Sequence, residues 1–247
     1  MPVPAGYREE ILTPKTSRSV EAVWTFVAET EGRSLVLPDG RCDVILQDSL
    51  VAKSAAQLIV TGPATRAYWV DMRPGDRWMG VRLRPENGRG LWRDALRGAI
   101  NEVARGPTAH AMVPVDTRDI ADADDLIRVL PAEPRHDTRI GQAIDMIHTA
   151  GGRLRVRDIA QILSWSPRHL HRVFSSHVGL AFKTYAQLVQ FHRALRLLQH
   201  NGLSIADAVF EAGYADHAHL TRSFRQFGGF TPSQIPKDLI VPTLFAP

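Results

Sequence analysis

The sequence predicts an α+β protein in two parts: a small β-barrel or β-sandwich with flanking helices, followed by an all-α domain. Three observations lead to this fold class. Short β-type segments separated by turn sequences fill the first 90 residues. Apolar residues at helical spacing prevail from residue 138 onward, and one pattern of helix, turn and helix occurs twice near the C-terminus. The all-α part is therefore predicted to hold two helix-turn-helix units joined by a long helix.

Six segments of the first part are rich in β-branched and aromatic residues, which favour strands. They are residues 20–28, 34–37, 42–46, 57–61, 66–70 and 77–84. The sequences at 38–40, 62–63 and 73–76 combine Pro, Gly and Asp, the residues that tight turns require. Short strands at such close spacing predict a sandwich or a small barrel.

After the strands the pattern becomes helical. We expect helical stretches over 88–105 and 116–130, and a linker over 131–137, which contains two prolines and three charged residues. A helix over 138–150, with isoleucines on its inner face, then begins the second domain. The predicted domains are therefore a β-rich domain over 1–130 and a helical domain over 138–247.

The second helix-turn-helix unit is predicted from residues 205–227. Residues 205–212 form a short helix, Gly213 supplies the turn, and Asp216 caps a second helix through its side-chain oxygen. Leu220, Phe224 and Phe227 recur at helical spacing and form its buried stripe. The residues left on the outer face are His217, Ala218, Thr221, Arg222 and Arg225. A basic, small-residue face suits a DNA groove, and an ordinary solvated surface helix is the alternative.

The first unit shows the same order of helix, turn and helix cap. Residues 156–163 form a helix with one apolar face, Ser164 and Trp165 form the turn, and Ser166 followed by Pro167 starts the next helix. The residues available on its outer face are Pro167, Arg168, His169, His171, Arg172 and Ser175. Because the turn and the helix cap occur in the same order in both units, the DNA-binding interpretation is favoured for both.

A helix over 181–200 is predicted between the two units. Twenty residues of α-helix span about 30 Å, close to the roughly 34 Å repeat of the DNA double helix. One chain could therefore place two recognition helices in successive major grooves.

The charge of the chain is unevenly distributed. Residues 138–247 hold 12 Lys and Arg against 6 Asp and Glu, whereas residues 1–137 hold 18 against 20. Eight of the ten histidines also lie in the C-terminal part. A basic half attached to a nearly neutral half is typical of a nucleic-acid-binding module, and an arginine-rich surface of a high-GC organism's protein is the other interpretation.

Two ordered sets of residues carry a family resemblance. The first runs through 158–160, 166–170 and 172–174, and the second through 213–214, 216, 219–220, 222, 224–225, 229 and 231–233. Residues from about 138 to 234 resemble the DNA-binding domain of AraC/XylS bacterial transcription regulators. The resemblance implies two helix-turn-helix motifs joined by one long helix. It also implies a cupin-like N-terminal barrel that binds an effector or dimerises, and it makes activation common.

This sequence departs from the family pattern at three places. Ser164 stands where glycine is common, which predicts strain or a different geometry in the first turn. Gln190 stands where arginine is common in the linking helix, which puts one phosphate or structural contact in doubt. Residues 208–209 invert the usual large-then-small order.

An enzymatic role is not expected. Residues 1–137 contain only His110 and His136, both outside the predicted strands, which argues against a histidine-based metal site. The sequence has no glycine-rich phosphate loop and no serine elbow. Cys42, the only cysteine, is expected to be a small buried core residue, with a nucleophilic role as the alternative. We expect neither a metal nor a cofactor.

The partners expected are double-stranded DNA, RNA polymerase if the protein is an activator, and two that the sequence leaves open, a small-molecule effector and a second copy of the chain. The candidate effector residues are Trp24, Trp69, Trp78, Arg82 and Arg84, with a core or solvated-edge role as the alternative. No membrane-spanning segment, signal peptide or internal disulfide is expected, so a cytoplasmic location is predicted. The alternative function is a sensor or interaction protein whose helical half binds another protein.

Overall fold

The computed structural model describes residues 6–13, 15–51, 55–131, 138–199, 201–236 and 239–240. Their strands form two sheets, one with the order β1-β2-β7-β4-β5-β8 and one with the order β6-β3-β9. The strands are β1 (Tyr7–Ile11), β2 (Val20–Val27), β3 (Gly32–Val36), β4 (Asp43–Ser49), β5 (Gln57–Thr61), β6 (Tyr68–Met72), β7 (Asp76–Leu83), β8 (Val103–Arg105) and β9 (Leu239–Ile240).

All six predicted strands are confirmed, and the β-rich first part with them. Three strands were not predicted. They are β1, in which three of the five residues are charged, the three-residue β8, and β9 near the C-terminal end of the described residues. β9 pairs in parallel with β3, so a segment that follows the helical part completes a sheet of the first part. Neither β1 nor β9 carries the alternating pattern on which a strand prediction depends.

The helices after the larger sheet are shorter than predicted. They are a 3-10 helix (Pro85–Asn87), α1 (Gly88–Trp92), a 3-10 helix (Arg93–Gly98), α2 (Gly106–Met112), a 3-10 helix (Thr117–Asp119) and α3 (Ala123–Arg128). The prediction of one helical stretch over 88–105 was wrong at its C-terminal end. Asn101 takes a positive φ of 61°, which ends helical geometry, and 103–105 pair with the edge of β5. Residues 132–137 of the predicted linker lie outside the described residues.

The second part is all helical up to residue 227, as predicted. Its helices are α4 (Arg139–Thr149), α5 (Val156–Ile162), α6 (Pro167–Val178), α7 (Phe182–Gln199), α8 (Ile205–Ala212) and α9 (His217–Phe227). Two apolar clusters hold them together. One joins α4, α5, α6 and the first half of α7 around Phe174 and Tyr185. The other joins the second half of α7 to α8 and α9 around Phe191 and Phe224, and it includes Leu37 from the first part.

The two parts are in direct contact along α7 and α9. The carbonyl of Pro38 accepts a hydrogen bond from His192 Nε2 at 2.6 Å. The amide of Ala67 donates to the carbonyl of Phe227 at 2.8 Å. Helix α6 contacts the short helices at 85–98. The turn predicted at 38–40 therefore touches α7, and Ala67, near the start of the predicted strand 66–70, touches the end of α9.

Candidate nucleic-acid interface and adjoining cavity

The first helix-turn-helix unit consists of α5, a turn and α6. Ser164 occupies the turn with a φ of 56°, a conformation that costs a non-glycine residue about 1–2 kcal/mol. The strain predicted for this turn is therefore present. Ser166 caps α6, since its Oγ accepts a hydrogen bond from the amide of His169 at 3.2 Å. Pro167 occupies the first helical position, where its missing N–H has no partner to lose.

The outer face of α6 carries most of the residues that the sequence placed there. Pro167, Arg168, His171 and Arg172 are exposed, and His169 and Ser175 are half-buried. The His169 ring packs edge-on against Trp165, with ring centroids 4.9 Å apart. Arg172 Nη2 lies 3.4 Å from His169 Nδ1. His169, which is held against Trp165, therefore orients the side chain of Arg172. His171 is exposed and makes no such contact with Arg172 among the described residues.

The second unit repeats this arrangement with different residues. Gly213 takes a φ of 74° in the turn, and Asp216 Oδ1 accepts a hydrogen bond from the amide of His219 at 2.6 Å. The His219 ring packs edge-on against Tyr214, with centroids 5.0 Å apart. In each unit the histidine three positions after the cap packs against the aromatic residue of the turn. The other histidine of each pair is exposed.

The outer face of α9 is also close to the prediction. His217, Ala218, Arg222 and Arg225 are exposed. Thr221 is half-buried, and its Oγ1 is enclosed with no hydrogen-bond partner among the described residues. The opposite face, with Leu220, Phe224 and Phe227, is fully buried, as the helical spacing predicted.

Helix α7 joins the two units and is buried along most of its length. Gln190 is buried, and its Nε2 donates to the carbonyls of Ala212 and Gly213 at 2.9 and 3.0 Å. These carbonyls belong to the free C-terminal end of α8, which needs partners. The residue that departs from the family pattern thus has a structural role, because it ties the turn of the second unit to the linking helix.

Two histidines of the helical part are held neutral. Burial lowers the pKa of His192 to about 4, and it lowers the pKa of His148 to about 3 with a further contribution from the charge of Arg41. His148 Nε2 lies 2.9 Å from the hydroxyl of Tyr185. Both rings lie on the side of the helices that faces the first part, away from the exposed faces of α6 and α9.

A cavity of about 790 Å³ lies between the two sheets of the first part. Four of the five candidate effector residues line it: Trp24, Trp69, Trp78 and Arg82. Arg84 is not among the lining residues. Its guanidinium donates instead to the carbonyls of Leu12 and Ser17, because β7 ends at Leu83 and the alternation that would place Arg84 beside Arg82 no longer applies.

Aromatic side chains form much of the cavity wall. Tyr7 stacks on Trp24 with centroids 6.1 Å apart, and Phe26 stacks on Trp78 at 5.4 Å. Gly80 makes room for the Trp24 indole, since a Cβ at this position would lie 2.2 Å from the ring. Tyr7 and Phe26 were not predicted as cavity residues. The alternation of β2 places Phe26 on the same face as Trp24 and could have revealed it.

The inner end of the cavity is charged. Arg82 Nη1 donates to Glu9, and Arg82 Nε lies 2.8 Å from Asp39 Oδ2 and 3.5 Å from Asp43 Oδ1. Arg41 forms a buried pair with Glu21, at 2.7 Å between Nε and Oε2. We name Glu9, Glu21, Asp39, Arg41, Asp43 and Arg82 the charged cluster. Its six side chains are at most 12% exposed.

Within the charged cluster, the carboxyl of Asp43 has a raised pKa. Burial raises the pKa of Asp43 to about 7; the Arg82 guanidinium opposes the shift, and the Asp39 carboxylate adds to it. The indole Nε1 of Trp24 donates to Asp43 Oδ1 at 2.8 Å. This carboxyl therefore sits at the boundary between the aromatic wall and the charged cluster.

The described residues also bear on three other possibilities: a metal site, a reactive cysteine and a membrane-spanning helix. Within the described ranges there is no group of three His, Cys, Asp or Glu side chains that could hold a metal ion. Cys42 is buried in the core of the larger sheet, and burial raises the pKa of its thiol, so it is the core residue that the sequence predicted. None of the helices in these ranges is both long enough and apolar enough to cross a membrane.

Comparison with known proteins finds one family match in each part of the chain. Residues 159–238 match a family described as a helix-turn-helix domain, and residues 13–103 match a domain of unknown function (DUF6597). The Msm operon regulatory protein of Streptococcus mutans is 32% identical over 101 residues, which are 40% of this chain and 36% of that protein. The transcriptional activator RhaS of an Enterobacter species is 31% identical over 77 residues, which are 31% of this chain and 28% of that protein.

A solved structure from Chromobacterium violaceum, described as a transcriptional regulator with an AraC-type DNA-binding domain, is 25% identical to this chain with a TM-score of 0.37. The similarity covers 38% of this chain and 86% of that one. The chain spans 36% of the length of the Msm regulator and 28% of that of RhaS.

The two units and their connecting helix thus define a double helix-turn-helix domain. Over this domain the chain is similar to bacterial transcription regulators with a helix-turn-helix domain, in agreement with the resemblance that its ordered motifs indicated.

Proposed function

We propose that this protein is a sequence-specific DNA-binding transcriptional regulator that reads two successive major grooves, one with α6 and one with α9. The observation that carries the proposal is the repeated geometry of the two units. Each begins its second helix at a side-chain cap and buries the apolar stripe of that helix. Each leaves two arginines exposed, Arg168 and Arg172 in α6 and Arg222 and Arg225 in α9.

The exposed residues divide into two roles. Arginine can donate two hydrogen bonds to a guanine edge, and it can neutralise phosphates and release counterions. Arg172 is oriented by His169, which favours a fixed contact for it. The capped N-termini of α6 and α9 present free backbone amides that favour phosphate. The proposal therefore predicts salt-dependent affinity with base-specific discrimination superimposed on it.

Selection of bound sequences from a random DNA pool, with the full-length protein at two salt concentrations, tests this function. We expect an enriched site with two short blocks whose centres are about one helical turn apart. Enrichment of a single block would contradict a reading role for one of the helices. Nucleic-acid binding that is independent of salt would favour the alternative, in which the helical part binds another protein.

Two double variants test the faces separately on the selected site. Arg168→Ala with His169→Ala removes contacts of α6, and His217→Ala with Arg225→Ala removes contacts of α9. Each base-reading arginine that is lost should weaken binding by about 1–3 kcal/mol and relax preference at one base, in the corresponding block only. Arg73→Ala removes an exposed arginine from a turn of the first part and serves as the control. Unchanged affinity in both double variants would refute the face assignment.

We further propose that the cavity receives an effector and that its occupancy alters DNA binding. Two segments support this coupling because each touches both the cavity and the helical part. Asp39 and Arg41 line the cavity, and the preceding Pro38 carbonyl binds His192 of α7. Ala67 lines the cavity and binds the end of α9 through its amide. A compound bound in the cavity should change operator affinity of the full-length protein, and unchanged affinity at saturation would contradict the coupling.

Activation is the favoured sign of regulation, because the relative RhaS is described as an activator. RNA polymerase is then the expected further partner. Transcription from a promoter that carries the selected site, measured with and without the protein, decides the sign. A decrease in transcript would establish repression instead.

A further inference from the structure

The cavity between the two sheets combines an aromatic wall with an excess of buried acid, and we propose that its ligand is an organic cation: an amine or quaternary ammonium head group carried on an apolar or aromatic body. This inference deepens the proposed effector function and rests on it for its biological meaning. The binding chemistry itself can be tested without DNA.

The charge balance at the inner end of the cavity favours a cationic ligand. The charged cluster contains four carboxyl groups, Glu9, Glu21, Asp39 and Asp43, and two guanidinium groups. Arg41 pairs with Glu21 and also interacts with Asp39, and Arg82 pairs with Glu9, Asp39 and Asp43. Even without Glu9, which makes a further contact, the three remaining carboxyls exceed the two guanidinium groups by one among the described residues when all are ionised. Buried charges are stable only when they are paired, so the cavity favours a cationic guest.

The rim of the cavity does not alter this balance. Its charged lining residues are Arg66, Asp71, Glu102 and Arg105, two of each sign. All four are exposed, so solvent screens them. The net negative charge therefore resides at the enclosed end, where the dielectric is low and electrostatic selection is strongest.

The aromatic wall of the cavity also favours a cation, independently of the charged cluster. Trp24, Trp78, Tyr7 and Phe26 present ring surfaces to the cavity. Aromatic faces attract cations, and desolvated sites of this kind are used to bind ammonium groups. Ile45 and Ile59 add an apolar floor. The volume of about 790 Å³ is that of a site for a small organic molecule, far larger than an inorganic ion needs.

Asp43 lies where the aromatic wall meets the charged cluster. Its carboxyl accepts the Trp24 indole N–H and lies 3.5 Å from Arg82. A carboxylate beside an aromatic wall can pair with an ammonium group that contacts the ring at the same time. An anionic head group would instead have to displace one of the three carboxyls that surround Arg82, which leaves a buried carboxylate unpaired.

Isothermal titration calorimetry with the full-length protein, in the absence of DNA, tests the proposal on matched compounds. Tryptamine, tryptophol and indole-3-propionate share one body and differ in head-group charge, and 4-phenylbutylamine, 4-phenylbutanol and 5-phenylpentanoate form a second series. We expect at least one amine to bind at least tenfold more tightly than the alcohol and the carboxylate of its series. Equal affinities, a preference for a carboxylate, or no binding by either amine would overturn the proposal.

Substitution of Asp43 locates the charge. Asp43→Asn keeps an acceptor for Trp24 and removes the negative charge, and we expect it to weaken amine binding at least tenfold while tryptophol affinity stays within about threefold. Asp124→Asn, at an exposed position of α3, is the matched control and should change neither. Amine binding unaffected by Asp43→Asn would overturn the site. If this variant does not fold, the head-group comparison in the unaltered protein decides by itself.

The pH dependence of binding gives a further readout. Asp43 is faced by Arg82 from β7, Asp39 from the turn before β4, Glu9 from β1, Trp24 from β2 and Tyr68 from β6. Since the pKa of Asp43 is raised to about 7, amine affinity should increase several-fold from pH 6 to pH 8, with release of a proton on binding. Affinity that is flat over this range in a protein that binds the amine would exclude Asp43 as its partner. Because DNA is absent throughout, a failure of these tests is distinct from a failure to bind an operator.

Discussion

The two helix-turn-helix units use the same local design and differ in how they are held. The second unit turns on Gly213, whereas the first turns on Ser164 in a left-handed conformation. The first unit packs against the short helices at 85–98, with Arg97 Nη2 3.5 Å from the carbonyl of Arg172. The second packs against Leu35, Leu37 and Leu239 of the smaller sheet. A repeated motif can thus keep its caps and buried stripe while its turn and its supports diverge.

The largest expected effect tests whether the buried stripes are equivalent. Phe174 and Phe224 lie eight residues after their respective caps, and both are fully buried. Phe174→Ala and Phe224→Ala should each lower the free energy of unfolding by about 3–5 kcal/mol in urea denaturation. Phe210→Ala is the control, since Phe210 is 81% exposed and should change stability by less than about 1 kcal/mol. A loss at only one of the two buried sites would show that the stripes are not equivalent.

The next effect concerns the two neutral histidines. Their folded pKa values, about 4 for His192 and about 3 for His148, lie below the usual value of 6.5. The unfolded chain therefore binds more protons below pH 6.5, and stability is lost as pH falls from that value. Each histidine should contribute a loss of about 2 kcal/mol between pH 6.5 and pH 5.

His192→Gln and His148→Gln isolate this effect. Glutamine retains a side-chain N–H for Pro38 or Tyr185 and does not titrate. The difference in stability between each variant and the unaltered protein should therefore change with pH in this range. Asp43, whose raised pKa acts in the opposite direction, cancels from that difference. A difference that is constant from pH 7 to pH 5 would contradict the assignment.

A smaller effect is expected in the turn of the second unit. Gly213→Ala forces a residue with Cβ into a φ of 74°, and the new atom would lie 2.6 Å from Cδ of Arg153. We expect a loss of about 1–2 kcal/mol in thermal or urea unfolding. Gly98→Ala is the control, because Gly98 has no atom of a neighbouring side chain within 4 Å and no positive φ. An equal effect of the two substitutions would refute the role assigned to the turn.

The smallest effect runs in the opposite direction in the first unit. Ser164→Gly relieves the left-handed strain and adds chain entropy to the unfolded state, so the net gain should be about 0.5–1 kcal/mol. Stability measured alongside Gly213→Ala completes the comparison. A destabilised Ser164→Gly variant would mean that the serine side chain stabilises the turn more than its backbone strains it.

Local features were predicted accurately from the sequence. The six strands, the caps at Ser166 and Asp216, and the bounds of α8 follow from patterns that span only a few residues. The helical stretch over 88–105 failed because a run of apolar residues at helical spacing does not reveal that 103–105 pair with β5. The cavity was foreseen only as a group of tryptophans and arginines, and the structure separates Arg84 from that group.

By itself the sequence determined the order of elements and the double helix-turn-helix pattern. It also determined which faces of α6 and α9 carry arginine, because helix periodicity, capping and turn chemistry act between near neighbours in the chain. Tertiary structure alone brought Glu9 to Arg82 across 73 positions and placed β9 beside β3. It also joined Pro38 to His192 across 154 positions. These contacts depend on how sheets and helices pack, and no local pattern records them, so the charged cavity and its link to the helical part emerge only in the folded molecule.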